Sequence, residues 1–392
     1  MTRKRQQIVG ICALVTLAGL AAGQATLRAD AAQTVQAPRF EVDPFWPQPL
    51  PNHWILGSVI GVGVDSRDHV FIIHRGDSTL NQRTEAGAAA TPPIGECCRS
   101  APPILEFDAD GALVKAWGGP GAGYDWPESN HGIAIDDQDN VWIGGNGRAD
   151  SHILKFTHEG KFLAQFGQSK QAMNSNDTTH FGRVAKISFN SKAREAYVAD
   201  GYGNKRVAVL DMGTGRIKRF WGAYGNTPDD ANAGPYNPDA PLAKQFRNPV
   251  HCAEPSNDGL VYVCDRPTDR IQVFRANGTF VKEMRIAPAT RGDGSVWDIA
   301  FSRDAAQRWL YLADGKNERV YVMDRQSLAI VTTFGDGGRQ PGQFFAVHSI
   351  ATDSKGNVFT TETYEGKRVQ KFTYKGMGAV ARTQGALWPT KR

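Results

Sequence analysis

The strongest constraint on this chain is a repeat. The stretch from Asn248 to Phe274 reads NPVHCAEPSNDGLVYVCDRPTDRIQVF. His251 to Pro255 forms one short run, Leu260 to Cys264 a second and Arg270 to Phe274 a third. Between the first two lies Asn257-Asp258-Gly259, a turn of residues that accept positive φ. The pattern returns in NHGIAIDDQDNVWIGG around His131 and in AVHSIATDSKGNVFTTE around His348. It returns again in VIGVGVDSRDHVFIIHRGD, AKISFNSKAREAYVADGYGNKRVAVL and SVWDIAFSRDAAQRWLYLADGKNERVYVM. Repeats of roughly 40–50 residues built from short strands predict propeller blades, one four-stranded sheet each. Six copies predict an all-β chain folded as a six-bladed β-propeller.

The repeats share a register. Five residues before each turn stand Ile60, His131, Ala185, His251, Trp297 and His348. Histidine occupies units two, four and six. Alternate blades of a six-fold ring lie about 120° apart, so three imidazoles at one height converge on the axis. A single such histidine is usually a satisfied channel residue. Three in matching register suit a metal with three histidine ligands and an open position. Zinc is the first expectation for neutral imidazoles. Iron, copper, nickel and manganese are compatible with the same ligand type.

A second register follows the second strand of each hairpin: Arg75, Tyr202, Arg266, Lys316 and Tyr364. These side chains are expected to ring one mouth of the channel. Positive charge favours a phenolate, so a tyrosine beside a metal and a guanidinium can serve as a general base. Arginine can hold a substrate carboxylate in a bidentate pair. The bland alternative packs Tyr202 against its turn and pairs the arginines with Asp77, Asp200 or Asp265. Asp200, Asp265 and Asp314 recur at one blade position and are expected to brace the hairpins. Arg206, Arg270, Arg319 and Arg368 also recur and read as structural or surface residues.

The first 31 residues read as a secretory signal: Arg3-Lys4-Arg5, an apolar run from Ile8 to Gly23, then a cleavage site at Ala29-Asp30-Ala31, with Ala25 competing. An uncleaved anchor is the alternative, although the run is short for a span of about 20 residues. A periplasmic or secreted protein is expected, without stable membrane insertion after signal removal. Of the formal +5 charge, residues 1–31 hold a net +3 (Arg3, Lys4, Arg5, Arg28 and Asp30), leaving +2. That balance, with no basic run interleaved with aromatics, excludes nucleic acid as the expected partner. An exported context permits disulfides. Cys252 and Cys264 sit on neighbouring strands and are expected to be close enough to pair. The adjacent Cys97-Cys98 is either a vicinal bridge or reduced, and no CxxC zinc spacing is present.

The chain therefore divides into a signal at 1–31, an aromatic and proline-rich extended arm at 32–55, the propeller at 56–373 and an irregular tail at 374–392. Proline disfavours regular pairing in the arm. An insertion from Ser78 to Pro103 interrupts the first unit and is expected over one channel mouth. Ring closure often uses one strand of the first or last blade shared between the termini, and the sequence does not say which end supplies it.

The blades resemble NHL-type repeats. The functional set resembles the propeller lyase domain of peptide-amidating enzymes, peptidylamidoglycolate lyase (peptidyl-α-hydroxyglycine α-amidating lyase). The resemblance runs from about Leu56 to Phe372. It implies zinc on His131 of NHGIAID, His251 of PVHCAEP and His348 of AVHSIATD. It implies a catalytic tyrosine at Tyr202 of DGY and site arginines at Arg75 of HRGD and Arg266 of the DR after His251. Ser349 stands where that family has an aspartate for a structural calcium, so calcium is doubtful here, although carbonyls near Val59 and Ile133 remain. Gly203 replaces a cysteine of a family disulfide. The resemblance covers no monooxygenase domain that would make the hydroxyglycine.

The expected activity is metal-dependent lyase cleavage of a carbinolamide or α-hydroxyglycine-type C–N bond in a small-molecule or peptide-derived substrate. The metal acts as Lewis acid and Tyr202 as base, with Arg75 supporting the phenolate and Arg266 orienting the substrate carboxylate. The chain is expected to be a monomer. Two other readings compete: a metal-dependent hydrolase or lactonase on the same scaffold, and a non-catalytic NHL docking ring.

Overall fold

The computed structural model describes residues 34–389. The signal sequence read over residues 1–31 lies outside the described residues. Six four-stranded antiparallel sheets form the ring. Blade one is built from Val59–Val64, Val70–His74, Ile104–Phe107 and Leu113–Trp117, from the axis outward. Blade two comprises Asn130–Ile135, Val141–Gly145, His152–Phe156 and Phe162–Gly167. Blades three, four and five start from inner strands Val184–Asn190, Val250–Pro255 and Asp298–Phe301. Blade six takes Val347–Thr352, Val358–Glu362 and Arg368–Ala381 from the C-terminal end.

The fourth strand of blade six comes from the other end of the chain. Thr34–Asp43 pairs antiparallel with Arg368–Ala381, setting Val42 against Phe372 and Val35 against Val380. The N-terminal segment thus closes the ring. Residues 34–43 of the expected extended arm are a paired strand, and the expected irregular tail is strand as far as Ala381. The reason lies in the side chains: Ala37, Phe40 and Val42 are buried, and Phe40 and Val42 complete the core between blades five and six. Pro38 is accommodated inside this strand by a shift of register between Pro38 and Phe40, and the other prolines of the arm, from Pro44 on, fall after it.

Six apolar clusters occupy the six seams between neighbouring blades. Each draws on the alternate residues of both flanking sheets, as expected where a sheet buries both faces. Trp46 seals the seam between blades six and one, with ring centroids 5.0 Å from Phe359 and 5.7 Å from Phe107. The recurrent aspartates brace hairpins: Asp200 holds Arg206 and Asp265 holds Arg270, both at 2.8 Å and fully buried. Asp314 accepts from Asn317 at 2.7 Å.

The insertion after His74 folds back on the ring. Arg99–Ser100 pairs in parallel with Trp54–Ile55, and Glu85 binds Lys367 of blade six at 2.8 Å. Leu80 and Asn81 share an opening with Arg75 and Tyr364, so the insertion borders the mouth that carries the second register. Cys97–Cys98 and Cys252–Cys264 are both disulfide-bonded.

Candidate functional site

The inner strands carry a local irregularity where the site lies. Pairing slips between Val59 and Gly61, Asn130 and Ile133, Val184 and Lys186, Val250 and Cys252, and Val347 and Ser349. Each slip brackets the register position: Ile60, His131, Ala185, His251 and His348. A bulge leaves its extra residue outside the ladder and re-aims the side chain. Here that device is used in five blades at one height, and in the even blades it presents an imidazole.

The three imidazoles meet. Their ring centroids are 4.9 Å apart for His131–His348 and His251–His348, and 5.3 Å for His131–His251. One ring nitrogen from each lies within 4.8 Å of the others. The Nδ1 of His131 donates to the carbonyl of Ala185 at 2.7 Å, that of His251 to Trp297 at 2.5 Å, and that of His348 to Ile60 at 2.6 Å. These acceptors are the same register position on the next odd blade. A carbonyl only accepts, so each Nδ1 carries the proton and each Nε2 keeps its lone pair. The odd blades thereby fix the tautomer that a metal needs from the even ones.

Burial keeps these rings neutral. It is the first cause that pushes His348 down to about 3 and holds His131 and His251 well below the usual imidazole range. Arg266 adds to the effect at His251 and His348, and Arg75 at His131 and His348.

Tyr202 joins the trio. Its hydroxyl lies 2.9 Å from His131 Nε2 and 3.1 Å from His251 Nε2. Arg266, nearly buried, donates from Nη1 to the same oxygen at 3.3 Å and lies over the Trp297 ring at 4.5 Å. Its other terminal nitrogen faces Asp293 at 3.4 Å, and Tyr364 reaches the second oxygen of that carboxylate at 3.3 Å. Arg75 is held from the side: Nε donates to the Asn130 carbonyl at 3.1 Å and Nη2 to Asn146 at 2.7 Å. Burial lowers its pKa from the ordinary guanidinium value. The guanidinium in hydrogen-bond reach of the phenol is therefore that of Arg266, whereas the sequence reading gave this support to Arg75. Lys316 of the second register bonds its backbone N–H to Asp314 instead.

Below the histidines the channel carries a charge. Lys186 lines the small cavity beside the trio together with Asp298 and Ser349. Its ammonium sits 2.6 Å from both Glu254 and Asp298. Burial opposes that charge, but the two carboxylates outweigh it and raise the lysine pKa. Ser349 donates to the other oxygen of Asp298 at 2.7 Å.

Three contributors were missing from the sequence reading. Asn146 follows the second strand of blade two and would have emerged had the second register been carried through that blade. Lys186 had a weaker signal, the one charged residue of the inner strand Val184–Asn190. Asp293 lies in an inter-blade loop outside any register.

Fold and site together define an NHL-like six-bladed propeller with a histidine trio on its axis. No protein-family model matches the chain. It is 24% identical over 359 residues to the peptidyl-alpha-hydroxyglycine alpha-amidating lyase 1 of Drosophila melanogaster, covering 85% of this chain and 59% of that one. It is 25% identical over 333 residues to the peptidylglycine alpha-amidating monooxygenase of Rattus norvegicus, covering 82% of this chain and 31% of that one. The chain thus spans less than two thirds of the length of these relatives. A streptogramin B lyase structure superposes with a TM-score of 0.50 at 12% identity, over 88% of this chain and 99% of that one, which shows the shared fold. The resemblance to amidating lyases therefore extends over more than four fifths of the sequence.

Proposed function

We propose that the chain is a metal-dependent lyase that cleaves the C–N bond of an α-hydroxyglycine-type carbinolamide. The observation that carries this reading is the Tyr202 hydroxyl, set between two histidine Nε2 atoms and the Arg266 guanidinium. The donor set fits a metal: three buried neutral imidazoles, each with Nδ1 tied to a carbonyl and Nε2 left unprotonated, two of these Nε2 atoms facing the Tyr202 hydroxyl. His131, His251 and His348 would hold it, with zinc the preferred ion. Bound there, such an ion supplies Lewis-acid polarisation of a substrate oxygen.

The chain's own groups do the rest. Tyr202, as phenolate, takes the proton of the substrate hydroxyl. Arg266 stabilises the phenolate before the transfer. Arg75, fixed by Asn146 and bordering the opening near Tyr364, receives the substrate carboxylate. The O–H electrons become the new C=O bond and the C–N bond breaks. The departing nitrogen takes back the proton as an amide, and the carbon fragment leaves as glyoxylate. Water is neither consumed nor released, which separates this step from hydrolysis.

We further propose that the protein works outside the cytosol, consistent with its two disulfides. No helix among the described residues is long and apolar enough to cross a membrane. We assign no calcium to the axis, since the Lys186 ammonium already serves Asp298 and Glu254.

The test is turnover of an N-acyl-α-hydroxyglycine by the metal-loaded protein, with amide and glyoxylate measured together. Equal yields of both, lost on chelation, support the lyase. A metal-loaded protein that leaves this substrate intact while opening a lactone moves the function to the hydrolase reading.

A further inference from the structure

A second cluster of metal-ligating side chains lies away from the axis, between blades one and two. It comprises Asp65, Glu106 and His158. The repeat itself shows that the cluster is unusual. In blade two the turn aspartate, Asp136, faces Lys155 at 3.3 Å, and Lys155 pairs across from Trp142. In blade six the position across from Phe359 is again a lysine, Lys371. Blade one has the same turn aspartate, Asp65, yet across from Phe71 it carries Glu106. The charge at this position is reversed, and two fully buried carboxylates now face one another's site.

The geometry is that of a ligand set. His158 Nε2 stands 3.3 Å from Asp65 Oδ2 and 3.3 Å from Glu106 Oε1. Donor atoms about 2.0–2.1 Å from a tetrahedral zinc stand about 3.3–3.4 Å apart. Asp65 is oriented by its other oxygen, which accepts the backbone N–H groups of Arg67 at 2.9 Å and His69 at 2.7 Å. His69 Nδ1 binds Glu106 Oε1 at 2.6 Å and steadies it. The Phe71 ring packs edge-on against His158 at 5.2 Å. Glu106 Oε2 is buried and finds no hydrogen-bond partner among the described residues. The oxygen turned to His158 is Oε1, which His69 and Arg67 already reach, so with Oε2 unmet beside it this buried carboxylate has capacity for a further cation.

One nitrogen of Arg67 now stands where the donors converge, 3.0 Å from Asp65, 3.5 Å from Glu106 and 2.5 Å from His158. Its Nε also bonds Asp65 at 3.3 Å, but the side chain is 52% exposed on a flexible stem, so it can swing out to water when a metal takes over these donors. We propose that Asp65, Glu106 and His158 bind a zinc-type divalent cation that clasps blade one to blade two, and that Arg67 competes for the same position as a tethered cation.

The experiment titrates metal-free full-length protein with Zn2+, and with Co2+ as a coloured probe, in a His131→Ala/His348→Ala background that disables the axis. One equivalent is expected to bind and to raise the melting temperature. Arg67→Ala is expected to tighten binding by about tenfold or more, within the range of partner effects on metal affinity. Glu106→Lys copies the pairing of blade two, so it is expected to fold normally and bind no metal; His158→Gln checks the same loss without a charge reversal. No bound metal in the axis-disabled background overturns the proposal. So does metal that persists in both Glu106→Lys and His158→Gln.

Discussion

His348 Nδ1 donates to the carbonyl of Ile60 at 2.6 Å, and that bond crosses the seam where the last blade meets the first. The orientation of one axial histidine therefore depends on ring closure. Trp46 packs this same seam. Truncating a buried tryptophan costs about 3–5 kcal/mol. Trp46→Ala should lower the urea midpoint accordingly and weaken axial metal binding along with it. An unchanged midpoint would show that the seam is held by other contacts.

The histidine trio makes a direct prediction about metal content. Removing one of three protein ligands should weaken zinc by more than about 100-fold, the upper end for loss of a mere orienting partner. His131→Ala, analysed for axial zinc beside the parent protein, should lose it while circular dichroism stays unchanged. Retention of that zinc would mean the ion is held elsewhere.

Tyr202 and Arg266 act on one oxygen in the proposed reaction. Loss of a general base costs about 10²–10⁴ in rate. Tyr202→Phe should lower kcat by that range with KM within a few-fold, because the ring still fills its place. Arg266→Met should lower kcat too, and its effect should largely vanish in the Tyr202→Phe background. Full additivity of the two in a double-mutant cycle would separate Arg266 from the phenol.

The blades and the axial trio were legible in the sequence for one reason: both follow from a repeat, and a repeat turns spacing into position. His131, His251 and His348 needed only their register. The bulges that aim them leave no signature in residue type, since Ile60 and Ala185 bulge alike. Ring closure was illegible because Thr34–Asp43 pairs with a strand more than 300 residues away, and proline nearby masked its alternation. The division of labour between Arg75 and Arg266 was also illegible. Both occupy one register, and only the side partners, Asn146 for one and Tyr202 for the other, tell them apart.

Asp269 gives a prediction about pH. Its Oδ1 accepts from Ser295 N at 2.8 Å and Oγ at 3.0 Å, while Oδ2 is buried without a partner among the described residues. Burial, helped by Asp314, raises its pKa to about 7. The unfolded carboxyl titrates near about 3.9. The folded state thus holds its proton more tightly, so this group's stabilising contribution is present below about pH 4 and is lost as pH rises to about 7. Asp269→Asn keeps the Oδ1 acceptor and tolerates the φ of 55°. It should remove a slope of up to about 1.4 kcal/mol per pH unit across that window. Urea midpoints at pH 5 and pH 8 decide it: parallel shifts in the two proteins would show that Asp269 is ionised throughout.

Lys186 places a permanent positive charge under the histidines, bridging Glu254 of blade four and Asp298 of blade five from blade three. Replacing it with methionine keeps much of the volume and leaves the buried Asp298 and the partly buried Glu254 without their counter-ion. Breaking a fully buried pair costs about 3–5 kcal/mol, and the partial exposure of Lys186 and Glu254 puts the loss at or below the lower end of that range. Carboxylates freed on the axis suit a hard cation with oxygen ligands. Lys186→Met should therefore melt at lower temperature than the parent and recover part of the loss when Ca2+ is added. The parent, whose carboxylates are already served by the ammonium, should respond little to the same addition. If the variant melts like the parent, or if Ca2+ moves both equally, the lysine is not the cation that holds these three blades together.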